Sequence, residues 1–213
     1  MSQMKTSASM AKIRPVTEKE ESDFGTYHYS TAKDSAKARK KAKTLFTKAF
    51  DGLPFSRDDK LKILDVGCGL GFLSCVCAEF YPNSSVTGFD TFEHASLKDS
   101  SIGMARRNAR ILGFSDRIVF QKGDIFLPDF RSKKFDLLVS SLVFHNFGKK
   151  RFDAYERLAH WATSKSFVVL GDLFFDYETD IRSLSNIFGG VERISGSAMG
   201  SAYKILVLSS PKM

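Results

Sequence analysis

The sequence predicts one α/β domain built on a doubly wound, mostly parallel sheet of seven strands with an antiparallel C-terminal strand. Short apolar runs alternate with amphipathic helical segments through most of the 213 residues. One of these runs breaks into alternating glycines and resumes as a helix-compatible segment. The last two strand-like runs, 191–194 and 203–208, are joined by a Gly/Ser-rich segment too short for a crossover helix, so we expect them to pair antiparallel.

The bulk composition indicates a single domain with an N-terminal extension. The chain is 43% hydrophobic and 26% charged, which suits one core of ordinary size. Residues 1–22 are polar and aperiodic, and we predict a flexible segment there. Residues 23–213 form the predicted domain, in which 23–52 are an aromatic arm and a basic helix.

Charge and cysteine content narrow the class of protein. The net charge is +8, and the part up to Lys62 carries about 14 Lys and Arg against about 8 Asp and Glu. This is the pattern either of a solvated helix face or of a surface that binds nucleic acid. Three cysteines within ten residues (68, 75 and 77) form no disulfide framework and no metal-site spacing, and no run suits a signal peptide or membrane span. We therefore expect a cytoplasmic protein without a metal site.

The elements follow in order from the arm. Thr31, with Asp34 three residues later, resembles a capping box that starts a helix, and Asp51 with Gly52 ends it. The lysines of this helix lie mostly away from its apolar face, so we expect it to pack on the sheet with lysines in water. The further strands are predicted at 61–66, 85–90, 118–124, 135–141 and 166–171. A further helix follows the glycines and ends before the turn at Pro82 and Asn83, and others are predicted at about 101–113, 149–162 and 176–188.

The first strand ends in the motif Asp65-x-Gly67-x-Gly69-x-Gly71. This is not the G-x-G-x-x-G dinucleotide pattern, because residue 72 is Phe, and no Lys-Ser/Thr pair indicates a P-loop. Two further carboxylates, Asp90 and Asp124, end the next two strands. Parallel strands bring these ends together at one edge, where carboxylates suit hydroxyl and amine donors better than phosphates. Taken singly, Asp65 could instead be a turn former and Asp124 an Asx-turn cap.

This combination resembles the class I, Rossmann-like S-adenosylmethionine-dependent methyltransferases over about 61–208. The resemblance implies that S-adenosylmethionine is the cofactor. It implies that the glycine turn holds the amino-acid part of the cofactor and that the end of the fourth strand contacts the methionine portion. It also implies that the acid ending the second strand binds the ribose hydroxyls. The side chain after that acid would lie against adenine, and the end of the third strand would border the adenine edge. The matching residues are Asp65, Gly67, Cys68, Gly69 and Gly71 for the turn, Asp90 with Thr91 or Phe92, Asp124 with Ile125, and Ser140, Ser141 and Leu142.

Candidate catalytic and substrate residues flank this motif set. Methyl transfer from a sulfonium needs alignment and exclusion of water, and a general base is optional. His145, just past the fourth strand, is the best-placed base, although it could be a hydrogen-bonded loop histidine. Asn146 and Asp172 are further substrate candidates, and Tyr27 and Tyr29 could form a lid or anchor the arm. The loop 91–100 is longer than the family pattern and could cover the cofactor or be an inert insertion.

The predicted acceptor is a small molecule. The Asn/Asp-Pro-Pro-Tyr/Phe tetrapeptide of relatives that methylate amino groups of bases or glutamine is absent, and Ser140-Ser141-Leu142-Val143 stands in its place. The run that follows, up to Asn146, resembles members acting on small molecules. Two alternatives stay open: an RNA methyltransferase using the basic helix, and a non-catalytic cofactor-binding regulatory subunit.

Overall fold

The computed structural model describes residues 20–94, 96–97, 100–127, 134–194 and 202–212. Most of the predicted flexible segment 1–22, and the whole of the predicted loop 195–201, lie outside these residues. At the start of the described chain, Glu20 forms an ion pair with Arg110. Within the described ranges, no helix combines the length and the apolarity that a bilayer crossing needs.

A seven-stranded sheet organises the chain, with strand order β3-β2-β1-β4-β5-β7-β6. Strands β1 to β5 run parallel, and β7 lies antiparallel between β5 and β6. The predicted doubly wound sheet with an antiparallel C-terminal strand is confirmed. The strands are β1 Lys62–Val66, β2 Ser85–Asp90, β3 Ile118–Lys122, β4 Phe135–Ser141, β5 Ala162–Leu173, β6 Phe188–Ile194 and β7 Tyr203–Pro211.

Helices cover both faces of this sheet because successive strand residues point to opposite sides. In β1, Ile63 packs into the core under the first three helices, whereas Leu64 packs into the core under the last two. In β4, Leu137 and Leu138 divide in the same way. The helices are α1 Ala32–Asp51, α2 Phe72–Phe80, α3 Ile102–Ile111, α4 Arg151–Trp161 and α5 Tyr177–Ile187, with a 3₁₀ segment Phe144–Lys150 before α4.

Helix α1 begins where its cap predicts. The Asp34 backbone N–H donates to the Thr31 hydroxyl oxygen at 3.1 Å, and that hydroxyl donates to the Asp34 carboxylate at 2.7 Å. The apolar face, including Phe46 and Phe50, is buried, while Lys33, Lys37 and Lys40 are exposed. The predicted amphipathic packing of this helix is therefore confirmed.

Several boundaries differ from prediction. The helix expected over 149–162 is divided into the 3₁₀ segment and α4, and residue 162 already pairs with Phe135 as the start of β5. Strand β6 begins at Phe188, three residues before the predicted start, because Gly189 and Gly190 lie against β7. A Cβ on Gly190 would stand 2.4 Å from the Ser209 hydroxyl oxygen, so these glycines allow close strand contact.

Candidate functional site

A cavity of about 610 Å³ lies at the carboxyl ends of β1, β2 and β4, within the size range of small-molecule sites. This is the edge where parallel α/β sheets place ligands. Its walls come from the glycine turn, the ends of β2 and β3, the segment after β4, the arm before α1 and the loop after β2. Predicted residues in the lining are Tyr27, Tyr29, Asp65, Gly67, Cys68, Gly69, Asp90, Thr91, Asp124, Ile125, Ser141, Leu142, His145 and Asn146.

The glycine turn leaves bare backbone on the cavity wall. Gly67 has φ +73°, and a Cβ there would stand 2.2 Å from a methyl carbon of Val143. Gly69 has φ +50°, and a Cβ there would stand 2.9 Å from a methyl carbon of Leu97. Both positions therefore need glycine for backbone conformation and for space. A ligand in the cavity can contact the main chain of this turn directly.

Asp90 links the glycine turn to the end of β2. One carboxylate oxygen accepts from the Gly69 backbone N–H at 2.8 Å, and the other accepts from the Phe92 N–H at 2.6 Å. A carboxylate has about four acceptor positions, so two remain for donors from the cavity. Asp124 likewise accepts from the Phe126 N–H at 2.9 Å, which is the Asx-turn expected as one alternative, and it also lines the cavity.

Asp65 is a buried carboxyl group with an unsatisfied oxygen. The residue is 1% exposed. Oδ2 accepts from the Ser74 hydroxyl at 2.6 Å, while Oδ1 has no hydrogen-bond partner among the described residues. Burial raises the pKa of this carboxyl to about 7, and the nearby charge of Asp90 adds to the rise. A cationic donor entering the cavity would satisfy Oδ1 and favour the ionised form.

His145 and Asp172 form a hydrogen-bonded pair at the end of β4. Asp172 accepts from the backbone N–H groups of Val143, Phe144 and Leu173, and its Oδ1 lies 2.5 Å from His145 Nδ1. Each carboxylate oxygen of Asp172 already accepts from a backbone N–H group, so His145 Nδ1 is the donor in this pair. The lone pair of the neutral ring is then on Nε2. His145 lines the cavity, so this pair has the arrangement of an oriented general base.

The arm and the loop after β2 close over the glycine turn. The His28 backbone N–H donates to the Ser96 carbonyl at 2.9 Å, and Tyr27 forms an isolated antiparallel bridge with Leu97. Leu97 also lies against Gly25 and Gly69. The described part of the long loop therefore covers the cavity together with the arm. Tyr27 is in this cover, whereas Tyr29, which also borders the cavity, is 96% exposed.

Four predicted site residues do not line the cavity. The Ser140 hydroxyl donates to the Val66 carbonyl at 2.7 Å, and Phe92 packs against the core. Gly71 faces Phe120, since a Cβ there would meet that ring at 2.7 Å. The sequence predicts a substrate contact at Asp172, but this side chain is 3% exposed and its carboxylate is engaged behind His145.

Sequence reasoning missed several lining residues, among them Arg39, His28, Leu97 and Val143. Arg39 stands among lysines in α1, where the pattern predicts a solvated face, yet it is 8% exposed. Leu97 reaches the site through a contact with the arm, and no periodicity indicates such a contact. For Arg39 the sequence contains one indication, which is that a charged residue stands on the apolar side of an amphipathic helix.

The fold and site together define a Rossmann-like α/β protein whose cavity suits a nucleoside that carries hydroxyl and amine donors. A family model described as a methyltransferase domain matches residues 57–161. This match supports the resemblance to the class I S-adenosylmethionine-dependent methyltransferases, whose cofactor is S-adenosylmethionine.

The similar proteins are named for different kinds of substrate. The tRNA1(Val) (adenine(37)-N6)-methyltransferase of Vibrio cholerae is 31% identical over 109 residues, which are 46% of this chain and 42% of that protein. The ribosomal protein L11 methylase of Lactobacillus delbrueckii has a TM-score of 0.62 at 18% identity, covering 95% of this chain and 92% of that one. Human N-acetylserotonin methyltransferase, solved with S-adenosylmethionine, has a TM-score of 0.53 at 16% identity, covering 82% and 56%. The chain spans less than half the length of the Vibrio relative, and the two structures show likeness of fold.

Proposed function

We propose that this protein transfers the methyl group of S-adenosylmethionine to a small-molecule acceptor, with His145 as the general base. The observation that carries the proposal is the His145–Asp172 pair, which lies on the wall of the same cavity as the glycine turn and the strand-end carboxylates. A general base beside a cofactor cavity suits an acceptor that must lose a proton, such as a hydroxyl group.

The donors and acceptors of the cavity fit this cofactor. Asp90 retains acceptor positions for the ribose hydroxyls, and Asp124 with Ile125 would border the adenine edge. Asp65 has an unsatisfied buried oxygen that suits the ammonium group of an amino acid, beside the bare backbone at Gly67. When bound, the cofactor supplies a methyl group already activated on a sulfonium sulfur.

The protein's own groups orient the acceptor and handle its proton. Nε2 of His145 would take the proton that the methyl acceptor loses, because the hydrogen bond to Asp172 keeps the proton of the ring on Nδ1. Asp172 also stabilises the imidazolium that forms. Phe24 and Tyr27 of the arm, with Phe147 after β4, exclude water from the reacting atoms.

The acceptor class is supported by what surrounds the cavity. Ser140-Ser141-Leu142-Val143 occupies the end of β4, where relatives that methylate base amino groups carry Asn/Asp-Pro-Pro-Tyr/Phe. The arm and the loop after β2 cover the site, as the bridge between Tyr27 and Leu97 shows. Such a cover favours a compact acceptor over a folded RNA. The three buried free cysteines at 68, 75 and 77 support the accompanying proposal of a cytoplasmic location.

The direct test uses purified protein, labelled S-adenosylmethionine and fractionated cell extract. We expect label in a small-molecule fraction, and loss of that incorporation in His145→Ala but not in the exposed control His160→Ala. Label in RNA or protein alone would contradict the proposed acceptor. Cofactor binding with no transfer to any fraction would favour the regulatory-subunit reading.

RNA is the second candidate acceptor because α1 is lysine-rich and because the Vibrio relative is named for a tRNA. This candidate predicts salt-sensitive binding of RNA that falls when Lys37, Lys40 and Lys41 are replaced by Ala. RNA binding that the triple variant keeps at every salt concentration would remove the candidate.

A further inference from the structure

Arg39 is a buried cation on the wall of the cavity. The residue is 8% exposed although it lies in the middle of the lysine-rich helix α1. In the described part of the chain, no carboxylate pairs with its guanidinium, which donates to two backbone carbonyls. A buried charge without an opposite charge is costly. A residue of this kind that faces a ligand cavity is suited to an anionic group of the ligand.

The arm fixes the position of this guanidinium. Nη2 donates to the Phe24 carbonyl at 2.5 Å and to the Gly25 carbonyl at 2.7 Å, and the Tyr27 ring lies 4.5 Å from the guanidinium carbon. These two bonds use two of the five N–H groups of arginine. One more can reach the Tyr27 hydroxyl, so at least two stay available. The planar group is therefore oriented in advance for an acceptor such as a carboxylate.

Arg39 also lies beside the glycine turn. Phe24 packs edge-on against Phe72 at the start of α2, with ring centroids 5.5 Å apart. The position of a Gly25 Cβ is 3.0 Å from a methyl carbon of Leu70 in the turn. The same cavity wall thus carries a buried guanidinium and, from the end of β1, the buried Asp65 carboxyl with its unsatisfied oxygen. An α-amino acid carries the two complementary charges, an ammonium and a carboxylate.

We propose that Arg39 binds the carboxylate of the cofactor's amino-acid tail, opposite the Asp65 carboxyl that takes its ammonium. This assignment rests on the proposed function, since it requires the cavity to hold S-adenosylmethionine. It adds to the site a residue that comes from α1, outside the 57–161 segment matched by the family model.

The test compares two ligands on the same protein by calorimetry. S-adenosylhomocysteine carries the amino-acid tail, and 5′-methylthioadenosine is the corresponding nucleoside thioether without it. We expect Arg39→Met to weaken S-adenosylhomocysteine binding by about tenfold or more, as for loss of a charged hydrogen bond, and to leave 5′-methylthioadenosine binding within about twofold. Lys33→Met, at an exposed position of the same helix, is the control and should change neither affinity.

The ratio of the two affinities separates recognition from structure. Equal weakening of both ligands by Arg39→Met would mean that Arg39 only holds the arm, and no weakening of either would mean that it binds no carboxylate; both results overturn the proposal. If Arg39→Met does not fold, Arg39→Lys provides the same ratio, with a smaller selective loss expected because the charge is kept without the planar fork.

Binding is measured here without any acceptor. Failure to find a methyl acceptor would therefore overturn the proposed function. It would not change the interpretation of a selective loss of S-adenosylhomocysteine binding in Arg39→Met. Equal weakening of both ligands by Arg39→Met would overturn the role of Arg39 and would not affect the proposal of methyl transfer.

Discussion

The buried Asp65 carboxyl makes the stability of the ligand-free protein depend on pH. Its pKa is about 7 in the folded chain, against 3.8 for an unperturbed group. Well below pH 3.8 the group is protonated in both the folded and the unfolded chain. Between pH 4 and 7 the unfolded chain loses this proton while the folded chain keeps it, so the free energy of unfolding falls as the pH rises. With about 1.4 kcal/mol for each pKa unit, the fall between pH 5 and pH 8 is about 2.5 kcal/mol.

Asp65→Asn removes this contribution with little change of shape. The amide oxygen keeps the Ser74 hydroxyl as a donor, and the group no longer titrates. Urea unfolding of both proteins at pH 5 and pH 8 gives the difference in their unfolding free energies, which we expect to move by about 2.5 kcal/mol in favour of the variant at pH 8. Asp51→Asn, at an exposed position, should shift stability by less than about 0.5 kcal/mol at either pH. A difference between wild type and Asp65→Asn that is equal at both pH values would refute the reasoning.

Three further predictions concern the same cavity. Asp90→Ala should lower the affinity for S-adenosylhomocysteine more than tenfold, because the ribose hydroxyls lose a charged acceptor; calorimetry showing an unchanged affinity would contradict the assigned contact. Asp172→Asn should lower kcat at least about tenfold while the dissociation constant of S-adenosylhomocysteine stays the same, and a change in binding alone would remove its positioning role. Gly67→Ala should lower the Tm by several degrees in a thermal melt, because the added carbon stands 2.2 Å from a methyl carbon of Val143 at a positive φ; an unchanged Tm would show that the turn relaxes.

Local patterns were sufficient to predict the sheet and the glycine turn. Apolar strands alternating with helical segments require a parallel sheet, and a parallel sheet brings Asp65, Asp90 and Asp124 to one edge whatever the details of packing. The antiparallel end followed from a connection too short for a helix. These predictions depend on periodicity and connection length, which are properties of neighbouring residues.

The remainder of the site depends on contacts between distant segments. Arg39 lies beside the turn because the carbonyls of Phe24 and Gly25 hold it there, and the helical pattern of lysines around it predicts solvent. Asp172 was placed near the site correctly as a strand end, but its hydrogen bond to His145 depends on how the segment after β4 turns. Leu97 covers Gly69 only because the loop and the arm pair.

The central claim is that the cavity at the ends of β1, β2 and β4 binds S-adenosylmethionine. Titration of the purified wild-type chain with S-adenosylmethionine in a calorimeter tests it most directly. We expect saturable binding of one cofactor molecule to each chain, abolished or strongly weakened by Asp90→Ala. Absence of any binding heat up to millimolar cofactor, with the protein shown to be folded by circular dichroism, would contradict it.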